Sequence, residues 1–228
     1  MQILKSYIVA AALLCAGGVQ AQVNSFNIDS TKFNRPLKAT LDSVYQLDQA
    51  PRFKYLEARQ KNNNPALVDS LRKAMVEHDH DNLKKCIAIL EKYGWQGPQK
   101  VGMEGSQALF LVIQHADLPT QKKYLPMIRD AERKGEILSS NLAILEDRIN
   151  VREGAQQQYG SQAFTDNQTN KLYFYPIANL SQLEERRKRM GLVPMAEYAK
   201  LMQMDWNPQQ YQKSLPEIEK IIARQKKK

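Results

Sequence analysis

The side chains of this chain that could move a proton gather in a few short blocks. "VIQHADLPTQ", residues 112–121, closes a strongly apolar run with Gln114, His115 and Asp117. An imidazole is the one side chain whose ordinary pKa lies near neutrality, so His115 can serve as base or acid. Ala108, Leu111, Val112 and His115 share a face by three-and-four spacing, which points His115 where the core residues point. A lone histidine on such a face is more often a satisfied core group than a catalyst, and Asp117 reads equally as the cap of a helix opened by Pro119.

Two further blocks could complete a site. In "AILEDRINVREG", Asp147 and Arg148 sit at the edge of a helix whose apolar face is Leu142, Leu145 and Ile149. A carboxylate there could orient a histidine and a guanidinium could clamp an anion; the plain alternative is an edge ion pair worth little. In "GAQQQYGSQ", Gln157, Tyr159 and Gln162 bring neutral donors and acceptors that suit a polar ligand, or a turn with surface amides.

"EHDHD" invites a metal reading, but His78 and His80 diverge on a helix and Asp81 reads as an N-cap, so no metal is expected there. No zinc-finger spacing, HExxH, phosphate loop, dinucleotide fingerprint or GxSxG motif occurs, and no cofactor is expected. The scattered aromatics form no stacking platform, so no nucleic-acid partner is expected either.

The elements that must position these groups come next. Residues 1–21, with Lys5, an apolar stretch from Tyr7 to Ala16 and small residues Val19 and Ala21, read as a secretory signal peptide. No stretch reaches the ~20 apolar residues of a spanning helix, so a periplasmic or secreted protein is expected. Its formal charge of +9 includes Lys5 and points to a polar or anionic envelope ligand, although the run Arg224–Lys228 is a tail of the kind that is usually just solvated. Without Cys15 of the leader, Cys86 is a lone thiol between Leu83, Ile87 and Leu90, expected to be a small buried hydrophobe.

Residues 22–36 form a lead-in without helical period. Residues 37–205 are expected to make a mainly α, single compact multi-helix domain with a small late β-hairpin at about 160–177, and residues 206–228 a C-terminal helix and basic tail. The first helix should run from Pro36 to Gln49, stopped by Pro51. A helix from Pro65 and another from Asp81 should follow, the latter closed by Gly94. The apolar run Ser106–His115 should be the buried centre, and helices should then open at Pro119 and Asn141, at Ser181 through a capping box with Glu184, at Met195 and at Pro216.

Taken in order, "LDSVYQLDQAPR", "ILEKYGW", "VGMEGSQALFLVIQHADLPTQKKYLP", "LAILEDRINVREGAQQQYGSQ" and "RRKRMGLVPMAEY" resemble the bacterial domain-of-unknown-function family 6624, over about Leu41 to Tyr198. The resemblance implies polar positions at Asp48, Gln49, Arg52, Gln114, His115, Asp117, Gln121, Asp147, Arg148, Gln157, Tyr159, Gln162, Arg186 and Arg187. It implies no activity. Three departures stand out: Pro51, "GWQGP" and Ser161, the first of which would separate Asp48 from Arg52 by ending their helix.

The expectation is one polar cleft. In it His115 is general base or acid, Asp147 orients it, Arg148 and Arg187 hold negative charge, and Gln114, Gln157, Tyr159 and Gln162 bind substrate. The activity expected is that of a hydrolase or transferase, and with no serine or cysteine nucleophile in view an activated water is the expected attacker. A non-catalytic binding module and a buried structural network are the alternatives.

Overall fold

A computed structural model describes residue 26, residues 28–61 and residues 64–226. The signal-peptide segment 1–21, residues 22–25 and 27 of the lead-in and the end of the basic tail lie outside these residues. The described residues are mainly helical, with eight α-helices and one two-stranded antiparallel sheet. By contacts they fall into two compact units, Ser25–Ile137 and Leu138–Lys228, which are taken here one at a time. No helix among the described residues is long and apolar enough to cross a membrane.

The first unit is built on α1 (Arg35–Gln60), α2 (Pro65–Tyr93), α3 (Pro98–His115) and α4 (Leu118–Arg133). The first two open alike. Asn34 accepts from the Leu37 amide at 3.2 Å and Asn64 from the Ala66 amide at 2.9 Å, and each asparagine is followed by a proline in the first turn. These are the amides no helical carbonyl can reach. The helices α1, α2 and α3 pack on one another, and the all-round apolar α3 is buried from Ala108 to Gln114, as its composition predicts.

Pro51 does not end α1, which runs on to Gln60. A proline inside a helix costs roughly 3 kcal/mol through its missing amide and its clash with the preceding turn. Here Tyr55 and Ala58 are buried beyond it, and Arg52 sends its Nη1 to the Asp48 carbonyl at 2.8 Å, keeping that carbonyl bonded next to the proline. Likewise α2 is one helix, not two. Nothing between Pro65 and Tyr93 is a glycine or an inner proline, so Asp81 lies inside it and caps nothing. Gly94, at φ 67°, closes it.

The α4 helix opens where Pro119 suggests, with Asp117 as its cap and accepting from the Thr120 amide at 3.0 Å. Pro126 lies inside it without ending it.

The second unit comprises α5 (Ser139–Arg152), the strands β1 (Ala163–Thr165) and β2 (Leu172–Phe174), α6 (Leu183–Arg189), α7 (Met195–Leu201) and α8 (Pro208–Lys226). The hairpin is shorter than expected but in the expected place, with Ala163 opposite Phe174. Its turn is tied by Asp166, which accepts from the Gln168 amide and the Thr169 hydroxyl and pairs with Arg224 of α8 at 2.6 Å. Phe164, Phe174, Leu183, Met195, Tyr198 and Ile218 are among the residues of its core.

Two starts differ from expectation. Ser181 caps no helix: its hydroxyl donates to Asn179, and Glu184 accepts from the Met195 amide instead of closing a capping box. The last helix begins at Pro208, with Pro216 inside it. Asn207 supplies the start, accepting from the Gln210 amide at 2.9 Å.

Candidate functional site

In the first unit three helices each carry one polar group where the repeat calls for an apolar one. On α1 the buried stripe Leu37, Leu41 and Val44 continues into Asp48, which is fully buried. On α2 the stripe of Asn82, Cys86 and Leu90 runs back to Asp79, three residues before Asn82. On α3 the stripe of Ala108, Leu111 and Val112 ends in His115. Since α1, α2 and α3 pack together, the three groups meet.

His115 Nδ1 lies 2.9 Å from Asp48 Oδ1. Asp48 Oδ2 accepts from Gln49 Nε2 at 2.6 Å, and Arg52 Nη1 lies 3.2 Å from Asp48 Oδ1. Arg52 Nη2 also donates to both oxygens of Asp79, at 2.8 and 2.9 Å. Thus Asp48 and Arg52 do pair at spacing four, because the helix survives Pro51. Burial pushes the Asp48 carboxyl up, but the hydrogen bond and charge of His115, the charge of Arg52 and the Gln49 amide bring it below the ordinary carboxylate value. An ionised carboxylate can only accept, so Nδ1 of His115 is the donor in this contact.

These groups face a cavity of about 160 Å³ lined by Asp48, Asp79, His80, Leu83, Val112, His115 and Ala116. Among the described residues no lysine or arginine lines it, in a chain with a net charge of +9. Gln114, one residue before His115, is buried. Its carbonyl accepts from Gln121 Nε2 at 2.6 Å, and its own side-chain oxygen meets no donor.

The other expected site residues belong to the second unit, and there they hold one loop. Asp147 of α5 is fully buried and accepts from the amides of Gln158, Tyr159 and Ser161, the longest of these contacts being 3.2 Å, and from Ser161 Oγ at 2.9 Å. Burial pushes its carboxyl above the ordinary value, against the pull of the Ser161, Tyr159 and Gln158 amides. Every neighbour is a donor, so a proton placed on Asp147 would have nothing to bond. The carboxylate that orients His115 is therefore Asp48, and Asp147 is taken up by its own loop.

Gln157 imitates a strand partner. Its Oε1 accepts from the Gln162 amide at 2.8 Å and its Nε2 donates to the carbonyls of Gln162 and Tyr175. Gln162 is fully buried and donates to Ser161 Oγ. Tyr159 gives its hydroxyl to Glu146, and burial together with that charge pushes the phenol up to about 12.

Arg187 is 1% exposed, donates to the carbonyls of Val193 and Tyr159, and lies over the Tyr198 ring at 5.1 Å. Arg186 donates to the carbonyls of Gln158, Ala178 and Asn179. Both guanidiniums bind backbone, which accounts for them without an anionic ligand. Arg148 is buried on α5. Gly160 makes the turn possible: at φ 69° it suits no other residue well, and an added Cβ would lie 2.9 Å from Met195 Sδ.

Asp79 is the site residue that sequence reasoning missed. Its signal was its place in the Cys86 stripe, obscured by the expected cap at Asp81. The residues drawn together at the cavity and in the Asp147 loop coincide largely with the polar positions that the resemblance implied.

No curated protein and no solved structure gives a significant match to the chain. The profile of the family of unknown function DUF6624 matches residues 36–208, most of the chain, and the protein belongs to that family.

Proposed function

We propose that the protein is an exported hydrolase or transferase that acts on a polar substrate in the cavity beside Asp48, with His115 as its proton-transfer group. The observation that carries this reading is the 2.9 Å contact between His115 and a buried, ionised Asp48 in the wall of an open cavity. A histidine serving structure alone needs no cavity. One serving chemistry needs an oriented ring, an acceptor nitrogen and room for a reactant.

Gln49 and Arg52 fix the carboxylate and the carboxylate fixes the ring, whose Nε2 would act as the base towards a water. Because Arg52 is paired with two carboxylates and no lysine or arginine is among the described residues lining the cavity, the wall suits a neutral or cationic polar group better than an anion. That moves the reading away from an anionic substrate.

Hydrolysis of a panel of chromogenic esters, amides and glycosides tests it. A general base contributes roughly 10²–10⁴ in rate, so His115→Ala and Asp48→Asn should each lower kcat/KM by about 100-fold or more while the fold persists. A binding module would retain ligand and turn over none of the panel; turnover undiminished in His115→Ala would remove the histidine from the chemistry.

A further inference from the structure

The same cavity offers something its proton chemistry does not need. Asp48, Asp79 and His115 each present one ligand-type atom, and these atoms lie within 4.8 Å of one another. Two ligands on adjacent positions of an ion with bonds of ~2.1 Å stand about 3 Å apart, and His115 Nδ1 and Asp48 Oδ1 stand 2.9 Å apart. A third ligand atom up to 4.8 Å away must close by about 1.8 Å at most to reach an adjacent position on such an ion, a shift that rotation of the partly exposed Asp79 side chain can supply.

We infer that Asp48, Asp79 and His115 form a binding site for a first-row divalent metal ion. The inference rests on the reading of this cavity as the working site, and in it the metal replaces His115 Nε2 as the group that activates the water. The donor set decides the class of ion. An imidazole with two carboxylates suits zinc, manganese or iron better than magnesium or calcium, which prefer all-oxygen shells. Three protein ligands leave positions open to the cavity, the arrangement of catalytic rather than structural sites.

The surroundings fit that role. Ligating carboxylates are themselves held by hydrogen bonds, and here Gln49 holds Asp48 Oδ2 while Arg52 holds both oxygens of Asp79. Arg52 does not line the cavity, so it grips the carboxylates from outside the space an ion would enter. His80 stands at the rim with its side chain 68% exposed, free of the core and able to swing towards a fourth position. The cavity wall is thus acidic and imidazole-rich within a basic protein, which concentrates cations in it.

With the ion bound, His115 gives up the Nδ1 proton to solvent and becomes a ligand. A water on the metal then loses its proton at far lower pH than free water and attacks the substrate.

Calorimetric titration of the chelator-stripped full chain with Zn²⁺ or Mn²⁺ alone tests the site. One ion per chain should bind with a dissociation constant in the micromolar range or below. His115→Ala and Asp79→Asn should each weaken it at least 100-fold, and His78→Ala should leave it unchanged. Asp79→Asn is the variant to rely on if His115→Ala misfolds, since Asp79 is only partly buried. The visible spectrum of bound Co²⁺ should change with the same two variants.

Absence of binding, or binding that survives both variants, overturns the metal site. If chelator-treated protein binds no ion yet hydrolyses the chromogenic panel, the metal inference fails and the acid–base reading stands. If the protein binds the ion through these residues and hydrolyses nothing, the metal site stands and the catalytic reading fails.

Discussion

Replacing Asp147 by alanine should cost the protein about 3 kcal/mol, a figure that follows from what its carboxylate holds. Three backbone amides and one hydroxyl end on it. Gln158 and Tyr159 are half-buried, so water can reach their amides in part, whereas Ser161 is 5% exposed and its amide would be left without a partner. An orphaned buried donor costs roughly 1–3 kcal/mol, and losing one member of a buried charged network roughly 3–5. Relief of the burial cost of the carboxylate itself brings the net back to about 3. Urea denaturation followed by circular dichroism measures it: with a slope of ~2 kcal/mol/M the midpoint should fall by about 1.5 M.

Asp147→Asn should do almost as badly, because its amide nitrogen would face amide donors. Ser161→Ala, which removes one hydroxyl bond, should lose only about 1 kcal/mol. A loss below about 1 kcal/mol in Asp147→Ala would refute the assignment of this aspartate to the loop and return it to the list of reacting groups.

Other expectations follow from single contacts. Arg52→Ala should lower stability by about 2 kcal/mol, and Arg52→Lys should recover little of it, since a lysine cannot engage both oxygens of Asp79 and the Asp48 carboxylate together; paired denaturation curves decide this. Cys86, fully buried and with its thiol pushed up to about 12, should resist a thiol-specific chromogenic reagent in the native state and react only as fast as the protein opens. Tyr211→Phe should cost about 1–2 kcal/mol, because the hydroxyl that accepts from the Ile177 amide and donates to the Tyr175 carbonyl is lost inside the core; thermal unfolding measures it.

The Asp166 contacts should weaken with acid. Burial pushes its carboxyl up, but the Gln168 amide, the Thr169 hydroxyl and Arg224 more than reverse that and leave it lowered. A depressed carboxylate contributes stability above its unfolded value of ~3.9 and loses it as pH falls through the lower folded value. The stability gap between the parent and Asp166→Asn should therefore be constant at neutral pH and close below about pH 4. A gap that stayed constant into strong acid would mean that Arg224 gains nothing from the charge.

The helices announced themselves wherever an apolar stripe coincided with a local start or stop. Pro36, Pro65 and Pro119 each sit in the first turn of a helix, after the caps Asn34, Asn64 and Asp117 respectively, and Gly94 lies just past one. The misreadings share a cause. At Pro51 and Pro216 a rule about one backbone amide outranks, in the sequence, the burial of the neighbouring turn, that of Tyr55 and Ala58 after Pro51 and that of Tyr211 before Pro216. At Asp81 and Ser181 a residue type that favours caps was taken for a cap, though its side chain had other partners or lay inside a helix. The uniform composition also gave no sign of a division near residue 137, because that boundary is a matter of which helices touch.

Mistaking Pro51 for a stop also hid the chemistry. Once α1 runs past Pro51, its stripe demands a core residue at position 48 and finds a carboxylate; once α2 runs past Asp81, its stripe demands one near position 79 and finds another. A fully buried acid at position 48, with a partly buried one at 79 and a histidine at the end of a third helix, is costly to keep for packing alone. The structure offsets that cost with Arg52 and Gln49, but it also leaves a cavity in front of them. A network kept only to join helices would have been cheaper as leucine, and a fully packed one would have left no room. By contrast the Asp147 loop has its donors matched to its acceptor and Gly160 closing the turn over it. Of the two polar clusters, the one around Asp147 explains a shape, and the one around Asp48 faces the space that the proposed chemistry needs.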